Sequence, residues 1–187
     1  MKTYFLIVSI FLILLTFTYF YMNSDLINDH LFHFTSEGYF LPVRFLLSMG
    51  ADVNSRDSEG YVPIEFASYL GYYDIVEYFI DNGAVLDNIN DYYFSALHLA
   101  GINNHLDIVQ LLIDSGADVN CNNIQGLSPL LNAIYADNYE LVKLLVENGA
   151  DINFLNQNGL SVLDIARSRT NNKITEYLES QVQVLEK

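Results

Sequence analysis

Five side chains in this chain of 187 residues are imidazoles or thiols, the types that titrate or turn nucleophilic near neutral pH: His30, His33, His98, His105 and the single cysteine, Cys121. A thiol becomes a nucleophile only where a neighbouring base or cation favours its thiolate. Cys121 stands among loop-forming asparagines with no histidine beside it in sequence, so an inert thiol is expected. His30 and His33 lie one helical turn apart and would share one face, a spacing that suits two metal ligands. No third cysteine, histidine or acid follows at a zinc-site spacing. A Gly-x-x-x-x-Gly-Lys phosphate loop is absent. The 23 acidic residues recur at a regular interval and do not converge on one place. No catalytic residue, cofactor or metal is assigned on this pattern, and an enzyme is not expected.

The elements that would position any site are announced by two phrases with one period. Gly50-Ala51-Asp52-Val53-Asn54 recurs as Gly83-Ala84-Val85-Leu86-Asp87, Gly116-Ala117-Asp118-Val119-Asn120 and Gly149-Ala150-Asp151-Ile152-Asn153, and the step from glycine to glycine never varies. Val62-Pro63-Ile64-Glu65-Phe66-Ala67 recurs at the same step as Ser95 to Ala100, Ser128 to Ala133 and Ser161 to Ala166. Self-similarity of this length marks stacked units, none of which can bury its apolar stripe alone. Ser95, Ser128 and Ser161 are placed to cap a first helix, with Pro63 and Pro129 near its first turn. Apolar residues at i, i+1, i+3 and i+4 give each second helix a wide buried stripe, as in Ile108, Val109, Leu111 and Leu112. The glycines would end that helix in the left-handed region. Asn104 and Asp137, where the second unit has Gly71, would adopt the same conformation.

Charge narrows the partners. The net charge is −15, and of eight basic residues only Arg44, Arg56 and Lys143 lie between Gly38 and Asn153. Nucleic-acid binding rests on Lys and Arg neutralising phosphates, so DNA and RNA are not expected partners. One cysteine permits no internal disulfide.

Tyr4 to Met22 carries no charge. As a helix this run would rise about 28 Å, near the hydrocarbon thickness of a bilayer. Tyr4, Tyr19 and Tyr21 lie towards its ends, where interfacial rings belong. The run reads as a single-pass anchor at residues 4–22. The alternative is a cleaved signal peptide with Lys2 as its charged start and a secreted or periplasmic product, although no Ala-x-Ala site follows. Lys2 before the run and Asp25, Asp29 and Glu37 after it leave the N-terminus cytoplasmic and send the repeats across.

The combination of a glycine shortly before Pro-Leu, an alanine, Ile-Val-x-Leu-Leu and Gly-Ala-Asp-Val-Asn resembles the ankyrin repeat. Asn123 to Leu155 is the best copy. The resemblance implies an all-α solenoid of helix–turn–helix units with short β-hairpin-like fingers, here with an added N-terminal hydrophobic helix. The expected divisions are an anchor or signal segment at 1–23, a degenerate N-terminal cap at 24–56, repeats at 57–89, 90–122 and 123–155, and a C-terminal cap and tail at 156–187. In the cap the first helix is expected over Asn28 to Thr35, and the second helix with its exit over Glu37 to Asn54. Tyr93, where the other units carry Gly60, Gly126 and Gly159, is expected to make its finger the most irregular. The resemblance gives His98 and His105 structural roles.

It also implies a non-catalytic module that grips a protein partner with its finger tips and first helices. Carried over by position, that surface holds Glu59, Tyr61, Tyr69, Asp91, Tyr92, Phe94, Ile102, Gln125, Leu127, Tyr135 and Asn158. Aromatic residues dominate binding hot spots, and a contiguous apolar patch signals a partner. The expected protein is a monomer that binds an unidentified protein, with the membrane reached through the N-terminal helix. The alternatives are a structural spacer without a specific partner and a regulatory or metal-binding accessory protein.

Overall fold

Serine and proline start the first helix of each interior unit, and glycine stops the second. The computed structural model describes residues 24–90, 94–123, 126–169 and 172–185. Among these lie ten α-helices: α1 (Ser24–Ser36), α2 (Phe40–Ser48), α3 (Pro63–Leu70), α4 (Tyr73–Asp81), α5 (Ala96–Ile102), α6 (Leu106–Asp114), α7 (Pro129–Tyr135), α8 (Tyr139–Glu147), α9 (Val162–Arg167) and α10 (Asn172–Leu185). Odd-numbered helices pack on one another in one layer and even-numbered helices in the other. Each unit is one antiparallel pair across the two layers.

Local chemistry accounts for these boundaries. The hydroxyls of Ser95, Ser128 and Ser161 accept the backbone N–H of His98, Leu131 and Asp164, and Pro63 and Pro129 open α3 and α7. Asp74, Asp107 and Glu140 sit in the first turns of α4, α6 and α8, where the helix dipole favours a carboxylate. Each of these helices turns one face inward: Ile75, Val76 and Phe79; Ile108, Val109 and Leu112; Leu141, Val142 and Leu145. Phe79 is fully buried, and truncation to alanine would cost about 3–5 kcal/mol. Ala67, Ala100, Ala133 and Ala166 are also fully buried, which lets first helices approach closely.

Two kinds of left-handed turn separate the helices. After α6, Gly116 (φ +96°) closes a Schellman arrangement in which the Ala117 N–H donates to Leu112 O at 3.0 Å. A Cβ on Gly116 would meet nothing within 4 Å, so the dihedral alone calls for glycine there. Between α3 and α4, Gly71 answers to space as well, because a Cβ would lie 2.4 Å from the His105 ring. Asn104 (φ 59°) and Asp137 (φ 58°) take the left-handed conformation at the equivalent positions, as expected.

Several expectations change. The fingers were expected to be hairpin-like; among the described residues the bridging is confined to one isolated pair, Leu155 with Ser161. The cap's first helix is no remnant over Asn28 to Thr35 but a 13-residue element from Ser24, with Asp25 in its first turn. Its second helix is Phe40–Ser48. At the other end, α10 runs 14 residues because no Gly-Ala-Asp phrase stops it. Residues 4–22, expected to form an apolar helix, lie outside the described residues, as do Asp91, Tyr92 and Tyr93 of the finger expected to be irregular. Among the described residues no helix is long and apolar enough to cross a membrane.

Candidate functional site

The residues that flank each finger pair with one another. The N–H of Asp57 donates to Tyr61 O at 3.0 Å, and the same pairing joins Asn90 to Phe94, Asn123 to Leu127 and Asn156 to Leu160. In return the side chains of Asp57, Asn90, Asn123 and Asn156 accept the N–H of those same partners at 2.9–3.2 Å. A second ladder runs between units from the last residue of the Gly-Ala-Asp phrase. Asn54 Oδ1 accepts from Val85 N at 2.8 Å while its Nδ2 donates to Gly83 O at 3.0 Å. Asn120 repeats both contacts with Asp151 and Gly149, at 2.8 and 3.2 Å. Asp87 replaces the asparagine in the middle rung; it accepts from Asp118 N at 2.9 Å and has no donor to offer Gly116.

On this frame the proposed binding residues separate into groups. Tyr69, Ile102 and Tyr135 recur once per unit at the ends of α3, α5 and α7, and remain 46%, 48% and 41% exposed. They form a row, one from each interior unit. The Asn103 amide donates to Tyr69 O at 2.7 Å and Arg169 to Tyr135 O at 2.7 Å, so the following unit fixes the backbone beneath each tyrosine of the row. Arg169 also lies over the Tyr135 ring at 5.9 Å. Glu59 and Asn158 are exposed at finger tips. Tyr61, Phe94 and Leu127 are half-buried: Tyr61 packs on Phe66 at 5.0 Å, Phe94 stands edge-on to His98 at 6.0 Å, and Leu127 packs on the core. Asp91, Tyr92 and Gln125 lie outside the described residues.

An apolar cleft of about 80 Å³ opens beside Ile102, between α5 and α7, lined by Leu97, Gly101, Pro129, Ala133 and Leu141 among others. The amide nitrogen of Asn132, also in its wall, is buried without a hydrogen-bond partner.

These repeating helix pairs, fingers and ladders match family descriptions along most of the chain. The profile for ankyrin repeats (3 copies) covers residues 97–185, and that for ankyrin repeats (many copies) covers 31–80 and 64–113. The chain belongs to the ankyrin-repeat family. No curated protein matches it. Ankyrin stacks are protein-interaction scaffolds, and the layered architecture here fits that role.

Inside the ankyrin stack the fourth residue of the Pro-Leu phrase faces the residue that leads into the next finger. Sequence reading placed no histidine near Cys121, and the fold corrects this. The His98 Nδ1 is 3.7 Å from Cys121 Sγ and 2.9 Å from Ser95 Oγ, while Ser95 Oγ lies 3.4 Å from the sulfur. Composition alone would suggest a nucleophile, but the electrostatics do not. Burial pushes the thiol up to about 11; the Ser95 hydrogen bond opposes this, and the Asp87 and Asp118 carboxylates add to it. Burial also lowers His98, against the contact with Leu127 O that raises it. His98 Nε2 meets that carbonyl at 3.1 Å, which assigns the proton to Nε2 and leaves Nδ1 as acceptor. A neutral thiol and a neutral imidazole stitch two units together.

The preceding unit places Glu65 and Asn88 at the same two positions. Glu65 is fully buried, yet its oxygens accept from Asn88 Nδ2 at 2.9 Å, Val62 N at 3.1 Å and Asn90 Nδ2 at 3.5 Å. Arg56 binds the far side of Asn88. Burial pushes the carboxyl up to about 7, against the hydrogen bonds from Asn88, Val62 and Asn90 and the field of Arg56. The only sequence signal for this cluster is that Glu65 stands one repeat period before His98. In the next unit Leu131 and Phe154 stand at these positions, the first inside the core and the second packed against it.

His30 and His33 fall on α1 as expected. His30 Nδ1 contacts Leu26 O at 2.7 Å, and both rings pack on Phe34. His105, just before α6, reaches Tyr69 O at 3.2 Å, a structural contact between units. Among the described residues no three metal-ligating side chains converge.

Proposed function

We propose that this ankyrin stack is a non-catalytic module that binds a protein partner along its first-helix and finger face. The observation carrying this reading is the row Tyr69, Ile102 and Tyr135. Three large side chains are kept half in solvent at one corner of successive units, while the alanines two residues earlier, Ala67, Ala100 and Ala133, are fully buried. Packed helices stand about 8–10 Å apart, so the row suits a partner segment presenting apolar side chains at that interval. Glu59 and Asn158 supply its polar rim, with Tyr61, Phe94 and Leu127 at the fingers. The acidic charge favours a partner with basic flanks.

Residues 4–22 support a single-pass anchor that holds the module at a membrane, with signal cleavage and export as the second reading. Length and freedom from charge favour the anchor. The partner face is tested by the combined change Tyr69→Ser, Ile102→Ser and Tyr135→Ser, all at exposed positions. Loss of partner capture with helicity intact is expected; retention of the same partners would point to a spacer or to another face. Carbonate extraction with the mass of the mature N-terminus tests the anchor, and a soluble chain beginning near Asn23 would overturn it.

A further inference from the structure

The N-terminal cap departs from the other units on its second helix. Position for position, Leu41 stands where α4, α6 and α8 carry Asp74, Asp107 and Glu140, and Arg44 stands where α4 carries Glu77. No acidic residue lies in the first turn of α2. Leu41 is 72% exposed and Phe45 61%, the highest values among the large hydrophobics of the described residues, and Tyr39 is 52% exposed.

Repetition shows what Phe45 and Tyr39 lack. Tyr78, equivalent to Phe45, stands edge-on to Phe40 of the preceding unit at 5.6 Å, and Tyr177 meets Tyr139 in the same way at 5.8 Å. Tyr72, equivalent to Tyr39, lies against the preceding unit's Gly38, where a Cβ would come within 2.8 Å of the ring. Both side chains of the cap are therefore built to pack on something that precedes α1. The charge-free run from Tyr4 ends at Met22, with Asn23 alone before Ser24 opens α1.

We propose that the Tyr39–Leu41–Phe45 face docks into the interfacial layer of a phospholipid bilayer. This rests on the anchor reading of residues 4–22. A run apolar on every side would itself expose an apolar surface if it only covered this face, whereas in a bilayer both are satisfied. With Asn23 alone between the anchor and α1, the cap cannot stand away from the surface. Arg44 keeps its charge among headgroups while its stem lies along the apolar layer, and Tyr39 is an interfacial ring. Asp25, Asp29 and Glu37 are exposed on the same unit, so the face fits a zwitterionic surface, and burial of apolar area drives the docking.

The chain contains no tryptophan, so Phe45→Trp places a single reporter on the face. The full chain carrying it is reconstituted in phosphatidylcholine vesicles with and without brominated acyl chains. Loss of most of the tryptophan emission in brominated vesicles is expected, with little loss for Leu155→Trp in the far finger. Adding Leu41→Asp, which restores the carboxylate of the other units, should recover the emission while the chain still sediments with the vesicles. An unquenched reporter in a chain that sediments with vesicles would overturn the docking and leave the anchor standing; a blue-shifted but unquenched one would do so in favour of a protein cover. Failure to sediment would overturn the anchor reading and the docking with it.

Discussion

Replacing Asp87 by asparagine should stabilise the stack. The rungs on either side show what the native residue lacks: Asn54 and Asn120 each accept one backbone N–H and donate to a glycine carbonyl at 3.0 and 3.2 Å. Asp87 makes only the accepting half, to Asp118 N at 2.9 Å. Asp87→Asn adds a donor aimed at Gly116 O, and one net hydrogen bond is worth about 1 kcal/mol. Exchange of a charged acceptor for a neutral one returns part of this, because bonds to ionised groups are the stronger kind. Removal of one negative charge from a chain of net −15 works the other way. The balance is a gain of about 0.5–1 kcal/mol, or a rise in the melting midpoint of about 1–4 °C for a chain of this size. Thermal unfolding of the full chain in detergent, followed by helical circular dichroism, reads this directly. Asn120→Asp is the mirror experiment and should lose a similar amount. An Asp87→Asn chain no more stable than its parent, beside an Asn120→Asp chain that is weaker, would refute the equivalence of the rungs.

Stability should also depend on pH through Glu65. Its folded value is raised from 4.5 to about 7, so its contribution is fully present below about 4.5 and is lost as pH rises through 7. That swing is worth about 3 kcal/mol and should be absent in Glu65→Gln, as urea titrations at pH 5 and pH 8.5 would show. Gly116→Ala should cost about 1 kcal/mol, for the left-handed dihedral alone. Gly71→Ala should cost more, because its methyl must also displace the His105 ring; chemical denaturation of the pair tests the difference. Cys121, buried and with its thiol raised to about 11, should react with a thiol reagent only at the rate of unfolding.

The repeat was legible because its signals are local. The serines before α5, α7 and α9, the first-turn prolines of α3 and α7 and the glycines after α4, α6 and α8 act within one or two turns of chain. Asn104 and Asp137 could be placed in the left-handed region from their alignment with Gly71 alone. The Glu65–Asn88 and His98–Cys121 pairs were not legible, because each joins a first helix to the following finger with a whole second helix between them in sequence. Nothing in the local pattern marks which finger residue will face the helix. Their chemistry also changes from unit to unit, from acid and amide to imidazole and thiol to two apolar side chains, so no repeated phrase betrays the contact. Among the binding residues, the exposure of Tyr69, Ile102 and Tyr135 is what the ankyrin resemblance, carried over by position, implies, and it agrees with helix phase. The half-burial of Tyr61, Phe94 and Leu127 depends on how each finger folds against its neighbours, which phase does not encode.

Photo-crosslinking from single positions shows whether the Tyr69, Ile102 and Tyr135 row meets a partner. A benzophenone side chain placed in turn at Tyr69, Ile102 and Tyr135 of the full chain, with Glu77 on the outer layer as control, samples the two faces in intact cells. Adducts with one common protein are expected from all three row positions and none from Glu77. Adducts from Glu77 with none from the row would contradict the row's binding role.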